Sequence, residues 1–84
     1  MTAPVHLVLG ATGGIGSTLA RTLAARGARL VLGGRRPDVL EALGAELGGR
    51  TVHVDATSVA DIDGAVELAV RDFGRLDGAV NCFG

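Results

Sequence analysis

Hydrophobic residues follow two different spacings along this chain, and the alternation between them predicts a β-α-β-α-β-α-β order. Apolar runs at residues 5–9, 29–32, 51–54 and 76–81 are short and nearly continuous, which is typical of strands buried on both faces. Between these runs, apolar residues recur every three or four positions, which is typical of helices. We therefore predict an α/β fold, a parallel sheet with helices on both faces. Because crossovers are right-handed, a doubly wound sheet with strand order 3-2-1-4 is favoured.

The first two predicted helices have clear start and end residues. The first begins at Gly14, and Gly27 ends it. The second begins at Pro37-Asp38, because proline and an acidic residue both suit a first helical turn. The apolar stripes predicted for these two helices are Ile15, Leu19 and Leu23, and Leu40, Leu43 and Leu47.

The third predicted helix follows Ser58 and ends at Gly74. Ser58 and Asp61 fit a capping box in which aspartate replaces the usual glutamate. Glu67 and Arg71 are spaced to pair across one helical turn on the exposed side. The predicted apolar face of this helix comprises Ile62, Val66, Ala69, Val70 and Phe73.

Composition narrows the function classes for this chain of 84 residues. The net charge of −1 and the lack of a basic patch argue against nucleic acid as a partner. No apolar run approaches the roughly 20 residues of a membrane span, so we expect no membrane partner. Cys82 is the single cysteine and cannot form an internal disulfide, which favours a cytoplasmic location. Neither histidine has metal-ligand spacing, so no metal site is predicted.

The sequence GATGGIG at residues 10–16 joins the first predicted strand to the first predicted helix. Glycines at such a junction permit a tight turn, close approach of a ligand to the backbone, and close packing of helix on strand. Free N–H groups and the helix dipole favour an anionic group at the helix start. We therefore predict a pyrophosphate site here; the alternative is a tight turn without a ligand.

Further candidates follow the second strand, because ligands of doubly wound sheets lie beyond the carboxyl ends of the strands. Gly34 occupies the position of the acid that holds an NAD ribose, and Arg35 and Arg36 come next. A guanidinium group suits a 2′-phosphate, so these residues favour NADP over NAD. The alternative is a solvated basic turn before a helix.

Asp55 and Asn81 follow or end the third and fourth predicted strands. Asp55 has the chemistry to accept a hydrogen bond from an adenine amino group; the alternative is a turn-forming acid. The amide of Asn81 has the chemistry to brace the fourth strand against a cofactor loop; the alternative is a plain Asx turn.

Taken together, these stretches resemble the N-terminal half of a short-chain dehydrogenase/reductase. GATGGIG at residues 10–16 is similar to that family's TGxxxGIG turn, and LGGR at 32–35 to its NADP-type second strand end. VDAT at 54–57 matches its adenine-side aspartate, and FGRLDGAVN at 73–81 resembles the run into its NNAG motif. The resemblance covers the whole chain, with the motifs in the family's order.

The resemblance implies a Rossmann-like half-domain over residues 1–84 that binds NADP, with NAD less favoured. The glycine turn would line the pyrophosphate and ribose, the arginines the 2′-phosphate, and the third strand end the adenine. The stretch after the fourth strand would pass beneath the nicotinamide ribose. The implied cofactor-binding residues are Gly10, Thr12, Gly13, Gly14, Ile15, Gly16, Arg35, Arg36, Asp55, Ala56, Asn81, Phe83 and Gly84.

Several positions depart from the family pattern. Leu9 stands in place of the usual threonine, and Cys82-Phe83 in place of Asn-Ala. Gly13 occupies a position where many NADP-binding members carry a basic residue. The family's catalytic Tyr and Lys have no counterpart, because the chain contains neither residue type. We therefore assign no catalytic residue.

The implied function is the NADP(H)-binding portion of an oxidoreductase, truncated before the catalytic half. In the complete protein, hydride would pass between the nicotinamide and a carbonyl or alcohol substrate. Two alternatives remain open: a non-enzymatic nucleotide-binding or assembly module, and an inert fragment. The fourth strand is predicted to be an exposed edge with apolar residues, which favours self-association through it.

Overall fold

Four parallel strands form one sheet, with helices on both of its faces. The computed structural model describes residues 3–55 and 57–83, so the predicted site residues Ala56 and Gly84 lie outside the described residues. The elements are β1 (Val5–Leu9), α1 (Gly14–Ala25), β2 (Arg29–Gly34), α2 (Pro37–Leu47), β3 (Arg50–His53), α3 (Val59–Phe73) and β4 (Gly78–Asn81). The strand order is β3-β2-β1-β4, and every pair is parallel. The predicted doubly wound topology is confirmed.

The strands differ from the predicted runs at their ends. Strand β2 continues through Gly33 and Gly34, which pair with Val52 and His53 of β3. The apolar run predicted for this strand ends at residue 32, so the strand is longer than predicted, and a β carbon on Gly33 would lie 3.0 Å from Cγ2 of Val54. A side chain at this position would therefore crowd Val54 within the sheet, so glycine here serves close packing and not a turn. Strands β3 and β4 span Arg50–His53 and Gly78–Asn81 in place of 51–54 and 76–81.

Alternate residues of the central strand face two separate hydrophobic layers. Leu7 and Leu9 of β1 belong to the layer beneath α3, with Ala65 and Ala69 of that helix. The other layer lies beneath α1 and α2 and comprises Val8, Ala11, Ala20, Leu30, Leu32, Leu40 and Leu43. Because β1 and β2 are covered on both faces, their sequences are almost continuously apolar.

Helix α1 packs on the sheet mainly through its small residues; of its predicted stripe, Leu23 packs against the core and Ile15 does not. Its buried residues are Gly16 and Ala20. The side chain of Ile15, expected in the stripe, is 80% exposed. The physical reason is close packing of helix and turn: a β carbon on Gly16 would lie 2.1 Å from the carbonyl oxygen of Gly10. A helix held this close presents small residues to the sheet and directs Ile15 outward.

Helix α3 begins at the predicted cap but departs from the predicted capping box. The Asp61 N–H donates to Oγ of Ser58 at 3.2 Å, which confirms the N-cap. The Asp61 carboxylate, however, accepts a hydrogen bond from the backbone N–H of Asp55 at 3.0 Å, so the predicted reciprocal bond to Ser58 is wrong. Val70, which was predicted to belong to the apolar face, is 50% exposed, so the prediction is wrong at this residue.

The remaining faces of α3 also differ in detail from the prediction. Its buried residues are Ala65 and Ala69, because small side chains let this helix approach the sheet. Arg71, expected to pair with Glu67, instead places Nε 3.2 Å from Oδ1 of Asp72. Neighbouring exposed charges of this kind add little to stability.

Candidate functional site

The glycine turn after β1 is fixed by backbone hydrogen bonds to the end of β2. Gly10 has a φ of +77°, a left-handed conformation that glycine adopts without steric cost. The N–H groups of Gly10 and Ala11 both donate to the carbonyl oxygen of Gly33, at 2.9 and 3.1 Å. The Gly13 N–H donates back to the carbonyl oxygen of Gly10 at 3.2 Å. The turn therefore holds a defined shape and leads directly into α1, as the sequence predicts.

The first turn of α1 is open to an anionic ligand. Its N-cap is Gly13, no side chain caps the helix, and no acidic residue lies in the first turn. A β carbon built on Gly14 would meet nothing within 4 Å, so the space beside this first-turn residue is open. Uncapped backbone N–H groups and the positive end of the helix dipole together suit a phosphate group.

The loop after β4 passes directly against this turn. The Cys82 N–H donates to the carbonyl oxygen of Leu9 at 2.8 Å, which extends the pairing of β4 with β1. A β carbon on Gly10 would lie 2.8 Å from the backbone nitrogen of Phe83. Only glycine fits at position 10, because both its conformation and the neighbouring backbone exclude a side chain.

A cleft of about 190 Å³ lies between the glycine turn, the end of β2 and the loop after β4. It brings together six of the predicted site residues and adds Cys82. The lining residues are Gly10, Thr12, Gly13, Arg35, Arg36, Cys82 and Phe83. Both arginines are exposed, so their guanidinium groups are available to a ligand. The cleft therefore joins a glycine turn at a helix start to positive charge from β2.

Cys82 is half-buried and contributes to this cleft, although it is not among the predicted site residues. The signal for its position was present in the sequence, because it lies between Asn81 and Phe83, two predicted site residues. Its backbone bond to Leu9 fixes it there. The departure from the family pattern at this position therefore changes the wall of the cleft.

Other predicted site residues lie outside this cleft. Gly14 and Ile15 line a shallow apolar groove on the surface of α1, together with Thr18, Leu19 and Thr22. Gly16 is buried against Gly10 and acts through close packing. The Asn81 Oδ1 accepts a hydrogen bond from the Phe83 N–H at 3.0 Å, so this residue forms the Asx turn that was the open alternative.

Asp55 forms a second polar turn, at the end of β3. Its Oδ1 accepts hydrogen bonds from the Thr57 N–H at 2.9 Å and the Thr57 hydroxyl at 2.7 Å. The backbone bond from Thr57, followed by the bond from its hydroxyl, lowers the pKa of Asp55, and the positive charge of Arg35 contributes. Both bonds engage Oδ1, so a ligand amino group would approach Oδ2.

Gly34 occupies the position at which an NAD-binding site would carry an acidic residue, and this position is closely packed. A β carbon on Gly34 would lie 2.9 Å from Cγ2 of Thr12 and 3.3 Å from its hydroxyl oxygen. Thr12 therefore occupies the space beside Gly34, into which an acidic side chain would extend. The site thus carries arginines after β2, and a glycine at the position where an acid would hold a ribose.

The described parts of the chain contain neither a metal-ligand cluster nor a membrane-spanning helix. Residues 3–55 and 57–83 contain no cluster of three His, Cys, Asp or Glu residues that could hold a metal ion. Within the same ranges, no helix has the length and apolar character needed to cross a bilayer.

Comparison with known proteins places this arrangement among reductases and dehydrogenases. The family model described as enoyl-(acyl carrier protein) reductase matches residues 10–84. An uncharacterized oxidoreductase of Staphylococcus saprophyticus is 38% identical over 80 residues, which cover 92% of this chain and 32% of that protein. The 3-hydroxyacyl-CoA dehydrogenase type-2 of Drosophila melanogaster is 39% identical over 82 residues, which cover 95% of this chain and 32% of that protein.

A solved structure shares the fold at similar identity. A short-chain type dehydrogenase/reductase from Mycobacterium ulcerans superposes with a TM-score of 0.88 at 36% identity, over 96% of this chain and 32% of that one. The present chain thus spans about a third of the length of the relatives that it matches.

Proposed function

The chain belongs to the short-chain dehydrogenase/reductase family, and we propose that these residues bind the cofactor of an NADP-dependent oxidoreductase. Members of this family use nicotinamide cofactors, NAD or NADP. The cleft between the glycine turn and β2 is the observation that carries the proposal, because it combines Thr12 and Gly13 with Arg35 and Arg36. A glycine turn at a helix start suits a diphosphate, and guanidinium groups suit a further phosphate.

The choice of NADP over NAD depends on the end of β2. Arg35 and Arg36 offer planar donors that match the oxygens of a 2′-phosphate. An acid that would accept from both ribose hydroxyls is missing at Gly34, and Thr12 fills the adjacent space. Asp55 lies near enough to Arg35 for the arginine to lower its pKa, so adenine and 2′-phosphate would bind in neighbouring positions.

We assign the remaining residues by their place around the cleft. Gly10, Gly13 and Gly16 shape the turn, and the first-turn N–H groups of Gly14 and Ile15 would face the diphosphate. Asn81, through its bond to the Phe83 N–H, fixes the loop that would lie beneath the nicotinamide ribose. A bound nicotinamide supplies or accepts hydride. The residues of this chain bind and orient the cofactor, and no catalytic acid or base is assigned among them.

A titration of NADPH and NADH against the purified chain tests this proposal, with cofactor fluorescence as the readout. We expect saturable binding of NADPH, and about tenfold weaker NADPH binding by R35A with little change for NADH, because a charge-assisted bond to the 2′-phosphate is lost. The matched control is R26A, at the far end of α1. Binding of NADPH and NADH weakened equally by R35A would contradict the 2′-phosphate role, and no saturable signal would overturn the proposal.

A second candidate function, as an assembly module, is favoured by the outer edge of β4. Among the described residues, β4 pairs with β1 on one side and forms an edge of the sheet on the other. Ala79, Val80 and Asn81 are exposed there. We propose that a second copy of the chain pairs with this edge at high concentration, because exposed strand edges are templates for further pairing.

A further inference from the structure

The loop between β3 and α3 is held by Asp61, a residue outside the predicted cofactor site. Strand pairing ends at Val54, whose N–H donates to the carbonyl oxygen of Gly34 at 2.9 Å. The next N–H, that of Asp55, leaves the sheet and donates to Oδ2 of Asp61 at 3.0 Å. The last backbone hydrogen bond of the sheet on this segment is thus followed by a bond to a side chain of α3.

Both backbone polar groups of Asp55 are bonded to the start of α3. Its carbonyl oxygen accepts from the Ser58 N–H at 3.0 Å, while its N–H donates to Asp61. Asp61 is itself fixed, because its own N–H donates to Oγ of Ser58 at 3.2 Å. Nδ1 of His53 lies 3.9 Å from Oδ2 of Asp61, which is too long for a hydrogen bond.

We propose that Asp61 is a positioning residue for the adenine side of the cofactor site, an inference that rests on the proposed function. Asp61 does not itself contact the cofactor. By holding the Asp55 backbone, it fixes the position of Asp55 before the ligand arrives, while the bonds from Thr57 orient the Asp55 carboxylate. Binding then requires less ordering of this loop, which raises affinity through preorganisation.

The test compares D61A and D61N with the wild-type chain. D61N keeps an acceptor oxygen for the Asp55 N–H and serves as the conservative rescue. D63A, which removes an exposed carboxylate from the same helix, is the matched control. Two probes divide the cofactor: adenosine 2′,5′-bisphosphate represents the adenine half and reduced nicotinamide mononucleotide the other half. Affinities are measured well below the melting temperature of each variant, and hydrogen exchange of the Asp55 amide is followed by NMR.

We expect D61A to weaken binding of NADPH and of the bisphosphate by about three- to tenfold, with the mononucleotide unchanged. Exchange of the Asp55 amide should accelerate in D61A by about tenfold or more, because its acceptor is removed. D61N and D63A should remain close to wild type in both measurements. A general loosening of the fold would affect both probes and would not be rescued by D61N.

Three results would overturn the inference, and they differ from failure of the proposed function. Binding of the bisphosphate by D61A at wild-type affinity would contradict it, as would equal loss for both probes. Unchanged exchange of the Asp55 amide in D61A would contradict the contact on which the inference depends. A wild-type chain that binds neither NADPH nor the bisphosphate would overturn the proposed function itself.

Discussion

Gly16 of helix α1 packs so closely against Gly10 that a β carbon on Gly16 would lie 2.1 Å from the Gly10 carbonyl oxygen. This contact sets the distance between the helix start and the end of β1. It is also accompanied by an outward-facing Ile15, whose side chain is 80% exposed. The geometry of the proposed diphosphate site therefore depends on a contact that involves no ligand-binding side chain.

We expect Gly16→Ala to destabilise the fold by about 1–3 kcal/mol, because the added methyl group overlaps backbone atoms that cannot move aside independently. It should also abolish detectable NADPH binding, because α1 must shift away from the turn. Gly14→Ala is the matched control, since a β carbon there meets nothing within 4 Å. Urea unfolding followed by circular dichroism measures the stabilities. Equal stability of the two variants would contradict the packing argument.

The second prediction concerns cofactor choice at Gly34. Gly34→Asp should weaken NADPH binding more than tenfold, because its carboxylate would repel a 2′-phosphate held by Arg35. NADH binding should fall less, since the new acid suits free ribose hydroxyls. Titration of both cofactors measures the effect.

Gly34→Asn is the control for this prediction, because it has the same shape without the charge. Both variants place a β carbon 2.9 Å from Cγ2 of Thr12, so both share the steric cost. The difference between them isolates the electrostatic contribution. If Gly34→Asn weakened NADPH binding as much as Gly34→Asp, the proposed position of the 2′-phosphate would be wrong.

The third prediction concerns the stability of the fold at low pH, through Asp77, which precedes β4 and bonds to the start of β1. Oδ2 of Asp77 accepts from the Val5 N–H at 2.7 Å, and Oδ1 accepts from Nε of Arg75 at 3.1 Å. The bond from Arg75, followed by that from Val5, lowers the pKa of Asp77 below its usual 3.8. Since the folded pKa is the lower one, this contribution to stability is complete above the usual value and is lost as pH falls through the folded value.

We therefore expect the stability of Asp77→Asn to depend less on pH than that of wild type between about pH 5 and pH 2. Thermal unfolding at a series of pH values measures this. Asp63→Asn, on the exposed side of α3, is the control and should keep the slope of the wild-type curve. A wild-type slope in Asp77→Asn would show that this carboxylate contributes nothing to acid sensitivity.

The backbone features of this chain are predictable from sequence because glycine and apolar spacing act locally. Gly10 follows a continuous apolar run and begins a glycine-rich turn, so its role in a strand-to-helix junction is evident without coordinates. Arg35 and Arg36 follow β2 directly, and strand order brings them to the same edge of the sheet. Local sequence and a single topological rule therefore locate most of the cleft.

Features that depend on distance between elements are not predictable in this way. The spacing of Ile15 suggests a buried position, but the contact of Gly16 with Gly10 leaves Ile15 exposed to solvent. Asp61 fits a capping box by spacing, yet its carboxylate bonds to Asp55, because β3 ends within reach of it. In both cases a tertiary contact overrides a valid local pattern, and a single sequence does not contain that distance.

The last prediction concerns assembly through β4. Val80 is 37% exposed on the edge strand, and Val80→Lys places a charge there, which disfavours pairing with a second strand. We expect the wild-type chain to self-associate as its concentration is raised over about a hundredfold range, and Val80→Lys to remain monomeric, as measured by light scattering. Val70→Lys is the matched control, because it adds the same charge at a valine that is 50% exposed in the last turns of α3. Self-association of Val80→Lys at wild-type strength, or a wild-type chain that stays monomeric throughout, would contradict assembly through this edge.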